Sequence, residues 1–221
     1  MAIAVAACAA LAAGCGSGSD SGSQKASICS HPPTTQAGAP SGTAAGATRW
    51  PAPPNPMKRA CQAGLTPEPA EQLAYHVHAH LDVYVNAKHE IVPGAIGIDV
   101  ADPAVHKFDE PDGTIGYGGI DPPCADPCIS PLHTHSDDGV LHTESPVTRL
   151  NRLGQFFTEW NVRLDRRCVD GYCRPKTPVA VYVDGSRYTG DPRQILLTDL
   201  KEIAVVVGKP PPTIPTHFPT G

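Results

Sequence analysis

At 221 residues the chain is long enough for one ordinary domain and a tail. A formal charge of −5 with neutral histidines, and the lack of any basic stripe, exclude the electrostatic footprint of a nucleic-acid binder. Aromatic residues make up only 5% and there are 25 prolines, so part of the chain is linker and not core.

The chain opens on an export signal. Ala2 to Ala13 is almost wholly apolar, too short to span a membrane as a helix, and ends in Leu11-Ala12-Ala13-Gly14-Cys15. That ending resembles a bacterial lipobox, although leucine sits one place further from the cysteine than usual and no Lys or Arg precedes the apolar run. The resemblance implies that residues 1–14 are a signal peptide, that Cys15 is lipidated, and that the protein is extracytoplasmic, tied to the cell membrane by its lipid anchor. An ordinary secretory signal would also export it.

Residues 15–64 are rich in Ser, Gly, Ala, Thr and Pro and show almost no aliphatic periodicity, which predicts a lipidated or disordered tether. Trp50 and the Pro51–Pro56 run are placed to dock on the domain at its end. Setting aside Cys8 and Cys15 leaves Cys29, Cys61, Cys124, Cys128, Cys168 and Cys173, an even set that exported chains oxidise. Proximity in sequence favours Cys29–Cys61, Cys124–Cys128 and Cys168–Cys173. A rival use of Cys124 and Cys128 is metal ligation, because they precede His133 closely.

Thr66-Pro67-Glu68 reads as a helix start running to about Ala74. Beyond it, Tyr75–Val85 alternates as a strand does. The odd positions Val77, Ala79, Leu81, Val83 and Val85 form an aliphatic row, and the even ones read His76, His78, His80, Asp82, Tyr84. Asn86–His89 predicts a turn and Glu90–Pro93 a returning strand. Residues 94–130 are Gly-, Pro- and Asp-rich, with a short strand at Ala95–Ile98 and the glycine-rich Gly113–Gly119 read as loop.

Pro131-Leu132-His133-Thr134-His135 runs through the turn chemistry of Ser136-Asp137-Asp138-Gly139 to His142. Either even-length register puts His133, His135 and His142 on one face, with Leu132, Thr134, Leu141 and Thr143 on the other. Ser145 can cap, and Pro146 open, a main helix over about 146–160, whose stripe is Val147, Leu150, Leu153, Phe157 and Trp160. Val179–Val183 leads into Asp184-Gly185, a strong hairpin signal, and Ile203–Val207 is an aliphatic run suited to a central strand. Together these predict a single α+β domain over 65–208, a mostly antiparallel sheet with one main helix and disulfide-stapled loops, followed by a disordered tail at 209–221.

His76–Val85, Pro131–Pro146 and Leu153–Trp160 together resemble a family of exported or membrane-anchored bacterial and archaeal proteins that carry H-x-H-x-H-L and L-H-T-H…G…H…E-S blocks. Thr143 stands where such proteins tend to carry a β-branched aliphatic residue. The resemblance implies one domain over most of residues 70–208 and brings no established activity with it.

Neutral imidazole is the commonest metal ligand, and an H-x-H pair on a strand lets two rings converge across about 6.6–6.8 Å. His76 and His80 are about 13 Å apart, so the first strand offers two ligands to one ion and its third histidine to a second site or to the outer shell. Metal candidates are therefore His76, His78, His80, His133, His135 and His142, with Zn or Cu as the ion suited to nitrogen donors. Glu144 is the candidate ligand, orienting group or acid/base, and Asp82 a candidate partner of a ligating ring. His31, His89, His106 and His217 stand alone and are given no role.

Three functions fit: an exported binder that handles the ion at a multi-histidine site, a metal-dependent enzyme with three histidines and an open coordination position, or a pH-responsive interaction domain without metal. No G-x-S-x-G, H-E-x-x-H or reactive-cysteine signature favours catalysis, so metal binding is the leading expectation. The expected partners are the metal ion and the membrane.

Overall fold

The computed structural model of the protein describes residues 28–30, 48–111 and 113–219. The expected signal peptide at 1–14, the lipidated Cys15 and much of the tether lie outside the described residues. The strands are β1 Tyr75–Val85, β2 Lys88–Glu90, β3 His106–Asp109, β4 Ile115–Gly118, β5 Leu132–His133 and β6 Val140–Ser145. They continue with β7 Cys168–Val169, β8 Tyr172–Cys173, β9 Val179–Val183, β10 Ser186–Tyr188 and β11 Lys201–Val207. Helical residues at 28–30, the short helices α1 Pro56–Gln62 and α2 Leu153–Glu159, and a 3₁₀ turn at Pro192–Gln194 accompany them among the described residues.

The central sheet is seven-stranded, in the order β10-β9-β11-β1-β6-β5, with β2 also paired to β1. Every pairing in it is antiparallel except β1 with β11, which run parallel. This overturns the expected α+β class: the chain is mostly β, 32% strand against 11% helix, built on a mixed sheet. The expected main helix explains much of the difference. Its first half does not form, because β6 keeps pairing with β1 as far as Ser145 and leaves Val147 and Leu150 exposed. Buried Asn151 then ties the connection down, its amide donating to the Pro131 carbonyl and to Thr143 Oγ1, each at 3.3 Å. Only Leu153–Glu159 is left to wind.

The helix expected after Thr66 is also absent. Glu68 instead bridges Ile129, and its carbonyl accepts from the backbone N–H groups of Cys128 and Ile129. With Pro67 and Pro69 on either side of Glu68, extended pairing wins over helix. The Gly113–Gly119 segment is not plain loop either, since β4 pairs with β3 in a hairpin. The expected strand at Ala95–Ile98 reduces to a turn ending in the single bridge Ile98–Ile129.

Alternation along β1 does what its pattern predicts. Ala79, Leu81, Val83 and Val85 are buried in one cluster with Ile203, Val205 and Val207 of β11, Leu141 of β6, and Phe156, Phe157 and Trp160. Full burial of one such side chain contributes about 1.5–3 kcal/mol. Strand β11 lies between β9 and β1, an interior place that suits its unbroken aliphatic run. Packing reaches upstream of residue 65: Trp50 meets Trp160 edge-to-face at 5.9 Å, and the Trp160 indole N–H donates to the Trp50 carbonyl at 2.8 Å. The three disulfides are Cys29–Cys61, Cys124–Cys128 and Cys168–Cys173. Cys124 and Cys128 are thereby removed as metal ligands.

One carboxyl sits in the core. Glu159, 1% exposed at the end of α2, has its pKa pushed well above the ordinary value by burial, which Ser130 and Arg149 only partly oppose. A raised folded-state pKa stabilises the fold below the unfolded pKa, and that contribution is lost as pH rises through the folded one. Replacing Glu159 by Gln should therefore flatten the pH dependence of stability. Urea unfolding is expected to show Glu159→Gln more stable than wild type at pH 8 and nearly equal to it at pH 4.

Candidate metal centre

Three neighbouring strands place the histidines. His78 of β1 lies opposite His142 of β6, His76 lies opposite Glu144, and on the other side of β6 His142 pairs with His133 of β5. These residues share one sheet face because directly paired residues point the same way. The Leu-His-Thr-His alternation then pins the hairpin from behind. Buried Thr134 donates its hydroxyl to the Pro93 carbonyl at 2.8 Å and accepts from the Ile96 N–H at 3.1 Å. The connecting turn is closed by Asp138, whose side chain accepts from the Val140 N–H, and by Gly139 at φ +77°.

His133, His135, His142 and Glu144 converge, with ring nitrogens and a carboxylate oxygen all within 4.8 Å of one another. His133 is fully buried and Glu144 is 4% exposed. His133 Nδ1 lies 2.8 Å from the Ser130 carbonyl, and His135 Nδ1 lies 2.6 Å from the Tyr117 carbonyl. A carbonyl only accepts, so in both rings Nδ1 carries the proton and Nε2 of the neutral tautomer is bare. Those two Nε2 atoms face each other at 3.2 Å. Glu144 Oε1 stands 3.6 Å from His133 Nε2, 3.7 Å from His135 Nε2 and 3.6 Å from His142 Nδ1. The last three separations are too long for good hydrogen bonds. Four ligand atoms around a tetrahedral zinc, at about 2.0–2.1 Å from it, are about 3.3–3.4 Å apart, close to the spacing here.

Electrostatics prepares the ligands. Burial acts to raise the Glu144 pKa, but His133, His135 and His142 outweigh it and hold the carboxyl well below the usual carboxylate range. Burial and the neighbouring imidazoles lower His142 to about 3 against an opposing pull from Glu144, so its nitrogens are free of extra protons at neutral pH. For His135 burial is outweighed by Glu144 and the Tyr117 carbonyl, and its pKa is raised. The Nδ1 of His142 and Oε2 of Glu144 are buried without a hydrogen-bond partner among the described residues.

His76 and His78 form a second, more exposed group around the same His142 ring. His76 Nε2 is 3.3 Å from Glu144 Oε1, and the His78 and His142 rings meet edge-on at 4.5 Å. Burial is the main cause lowering the His78 pKa. A cleft of about 610 Å³ opens onto both groups, lined by His78, His135, His142 and Glu144 and walled by Leu73, Phe108 and Phe218. His80 stands apart, with Asp82 and Glu202. His89, given no role from sequence, reaches Asp82 Oδ1 at 2.7 Å. The sequence predicts a turn over Asn86–His89 with a strand from Glu90; β2 instead begins at Lys88, which brings His89 opposite Tyr84 on the histidine face. Glu202 had no sequence signal; it depends on the parallel register of β11 against β1. Comparison of the chain with protein-family models, curated proteins and solved structures finds no match.

Gly118 sets the approach of the β3–β4 hairpin to His135. Its φ is +152°, and a Cβ there would lie 2.7 Å from His135 Nδ1. Gly118→Ala should push the ring off the Tyr117 carbonyl, and loss of such an outer hydrogen bond weakens metal binding about 10–100-fold. Zn²⁺ titration against a competing chelator, with circular dichroism to show an intact fold, measures it.

Proposed function

We propose that this chain is an exported metal-binding protein that holds one transition-metal ion, Zn²⁺ or Cu²⁺, on His133, His135, His142 and Glu144. The observation that carries the reading is the pair of bare Nε2 atoms 3.2 Å apart, each fixed by a backbone carbonyl at the far side of its ring. Two lone pairs facing each other beside an ionised carboxylate repel unless a metal ion or the extra proton of one imidazolium lies between them, and a carbonyl-held imidazole is how proteins orient a metal ligand. Three nitrogens and one oxygen suit a borderline ion better than Ca²⁺ or Mg²⁺, which take oxygen shells. His76 and His78, at the more exposed end of the same cluster, supply a way in for the ion.

The three disulfides support an oxidising compartment, and therefore export. The lipid anchor at Cys15 and membership of the exported histidine-block family rest on the sequence features that suggested them. The cleft beside His135, His142 and Glu144 favours one further reading, a metal-dependent enzyme in which the cleft delivers water or substrate to the ion and Glu144 serves as ligand or base.

Protein purified without a histidine tag is expected to contain about one equivalent of Zn or Cu by elemental analysis. His135→Ala should lose more than about 100-fold in affinity, since a ligand matters more than its outer partner. A metal-free protein that ignores added Zn²⁺ and Cu²⁺ would refute the metal reading and leave the pH-responsive domain. In Co²⁺-substituted protein, a visible spectrum unmoved by azide marks a closed shell and binding, whereas a shifted one marks an open position and favours the enzyme.

A further inference from the structure

His80, Asp82 and Glu202 form a third convergent group, on the same sheet face as the other two and sharing no residue with them. His80 of β1 pairs with Glu202 of β11 across the parallel register, and Asp82 lies two residues further along β1. All three are buried, at 9%, 8% and 1% exposure. The His80 ring is oriented as the first group's rings are. Its Nε2 lies 3.0 Å from the Asp138 carbonyl, which only accepts, so that nitrogen carries the proton. Its Nδ1 then points at carboxylates, 2.8 Å from Glu202 Oε2 and 3.8 Å from Asp82 Oδ2. The other oxygen of Glu202, Oε1, is buried with no hydrogen-bond partner among the described residues.

Charge balance sharpens the point. Two buried carboxyl groups face one buried imidazole, and if both ionise a protonated His80 still leaves one negative charge over; burial raises the Glu202 pKa against the pull of His80. His89, whose side chain is 52% exposed, reaches Asp82 Oδ1 at 2.7 Å and is not among this group's convergent ligands. A divalent ion on neutral His80 cancels both carboxylates at once. Uncompensated buried charge is costly, whereas a cation held by buried carboxylates is a common resolution.

We propose that His80 Nδ1, Asp82 and Glu202 form a second divalent-cation site, richer in oxygen than the first and suited to a harder ion such as Mn²⁺. One imidazole and two carboxylates favour Mn²⁺ over the softer ions that nitrogen-rich sites select. The alternative is a plain His80–Glu202 ion pair. The site also has a structural consequence. The Asp138 carbonyl that fixes His80 belongs to the turn between His135 and His142, so an ion at His80 stiffens the connection that carries ligands of the first centre.

The test uses the full chain without a histidine tag, stripped with a chelator and given one equivalent of Zn²⁺ to fill the first centre. Mn²⁺ is then added and free Mn²⁺ is read from its six-line electron paramagnetic resonance signal. Wild type should take up about one further equivalent, and Glu202→Gln should weaken that uptake more than about 100-fold while Zn²⁺ binding persists. The doubly substituted His133→Ala, His142→Ala protein should lose Zn²⁺ yet keep Mn²⁺, which separates this site's failure from that of the first. If Glu202→Gln loses both ions it has unfolded, and Asp82→Asn decides instead: weakened Mn²⁺ uptake supports the site. Wild-type protein that takes no Mn²⁺, or an Asp82→Asn variant with unchanged uptake, overturns the proposal in favour of the ion pair.

Discussion

Two hydrogen bonds from imidazole to backbone govern what the histidine face can do. By donating Nδ1–H to the carbonyls of Ser130 and Tyr117, His133 and His135 lose their freedom of tautomer and of ring orientation together. Everything next to them then becomes a question of what can sit between bare nitrogens and an ionised Glu144. The carbonyls come from segments that do not belong to the central sheet: Ser130 leads into β5, and Tyr117 lies on the β3–β4 hairpin folded over the sheet face. The Tyr117 link runs both ways, because its own N–H donates to the His135 carbonyl at 3.2 Å. The hairpin is thus part of the centre's geometry, although it contributes backbone and no ligand.

The sheet supplies the complementary constraint. Its pleat sorts β1 into an aliphatic row that joins the core and a polar row that does not, so burial of Leu81 and Val83 forces His80 and Asp82 to the opposite side. Because β1 pairs with β6 along its first half and with β11 along its second, the row is divided. The upstream end meets the His142 and Glu144 side chains, while the downstream end meets Glu202. A single histidine-rich strand therefore serves two chemically different neighbourhoods, one dominated by nitrogen and one by oxygen.

Much of this was legible in the sequence, and the parts that were not share a cause. Alternation in Tyr75–Val85, the hairpin at Asp184-Gly185, the aliphatic run at Ile203–Val207 and the shared face of His133, His135 and His142 all follow from short-range periodicity and turn chemistry, although which of His133 and His135 lies opposite His142 does not. The separation of His80 from His76 followed from strand rise alone. What short-range rules misjudged were segments settled by distant partners. Ser145-Pro146 has the chemistry of a helix start, yet pairing of β6 with Tyr75 and the anchoring of Asn151 keep that stretch out of helix. Thr66-Pro67 met the same fate through Glu68 and Ile129. Glu202 and the carbonyls of Ser130, Tyr117 and Asp138 were invisible, since no local pattern tells which backbone oxygen will face which ring.

The parallel contact between β1 and β11 joins strands from opposite ends of the domain, with more than a hundred residues between them. Local hairpins can close early, but this seam cannot form before the last strand exists, and long-range closure of this kind is slow. A chain that threads a membrane unfolded and in order would complete the His80, Asp82 and Glu202 group only after its final strand had emerged, whereas the β5–β6 hairpin that carries His133, His135, His142 and Glu144 is free to close before it.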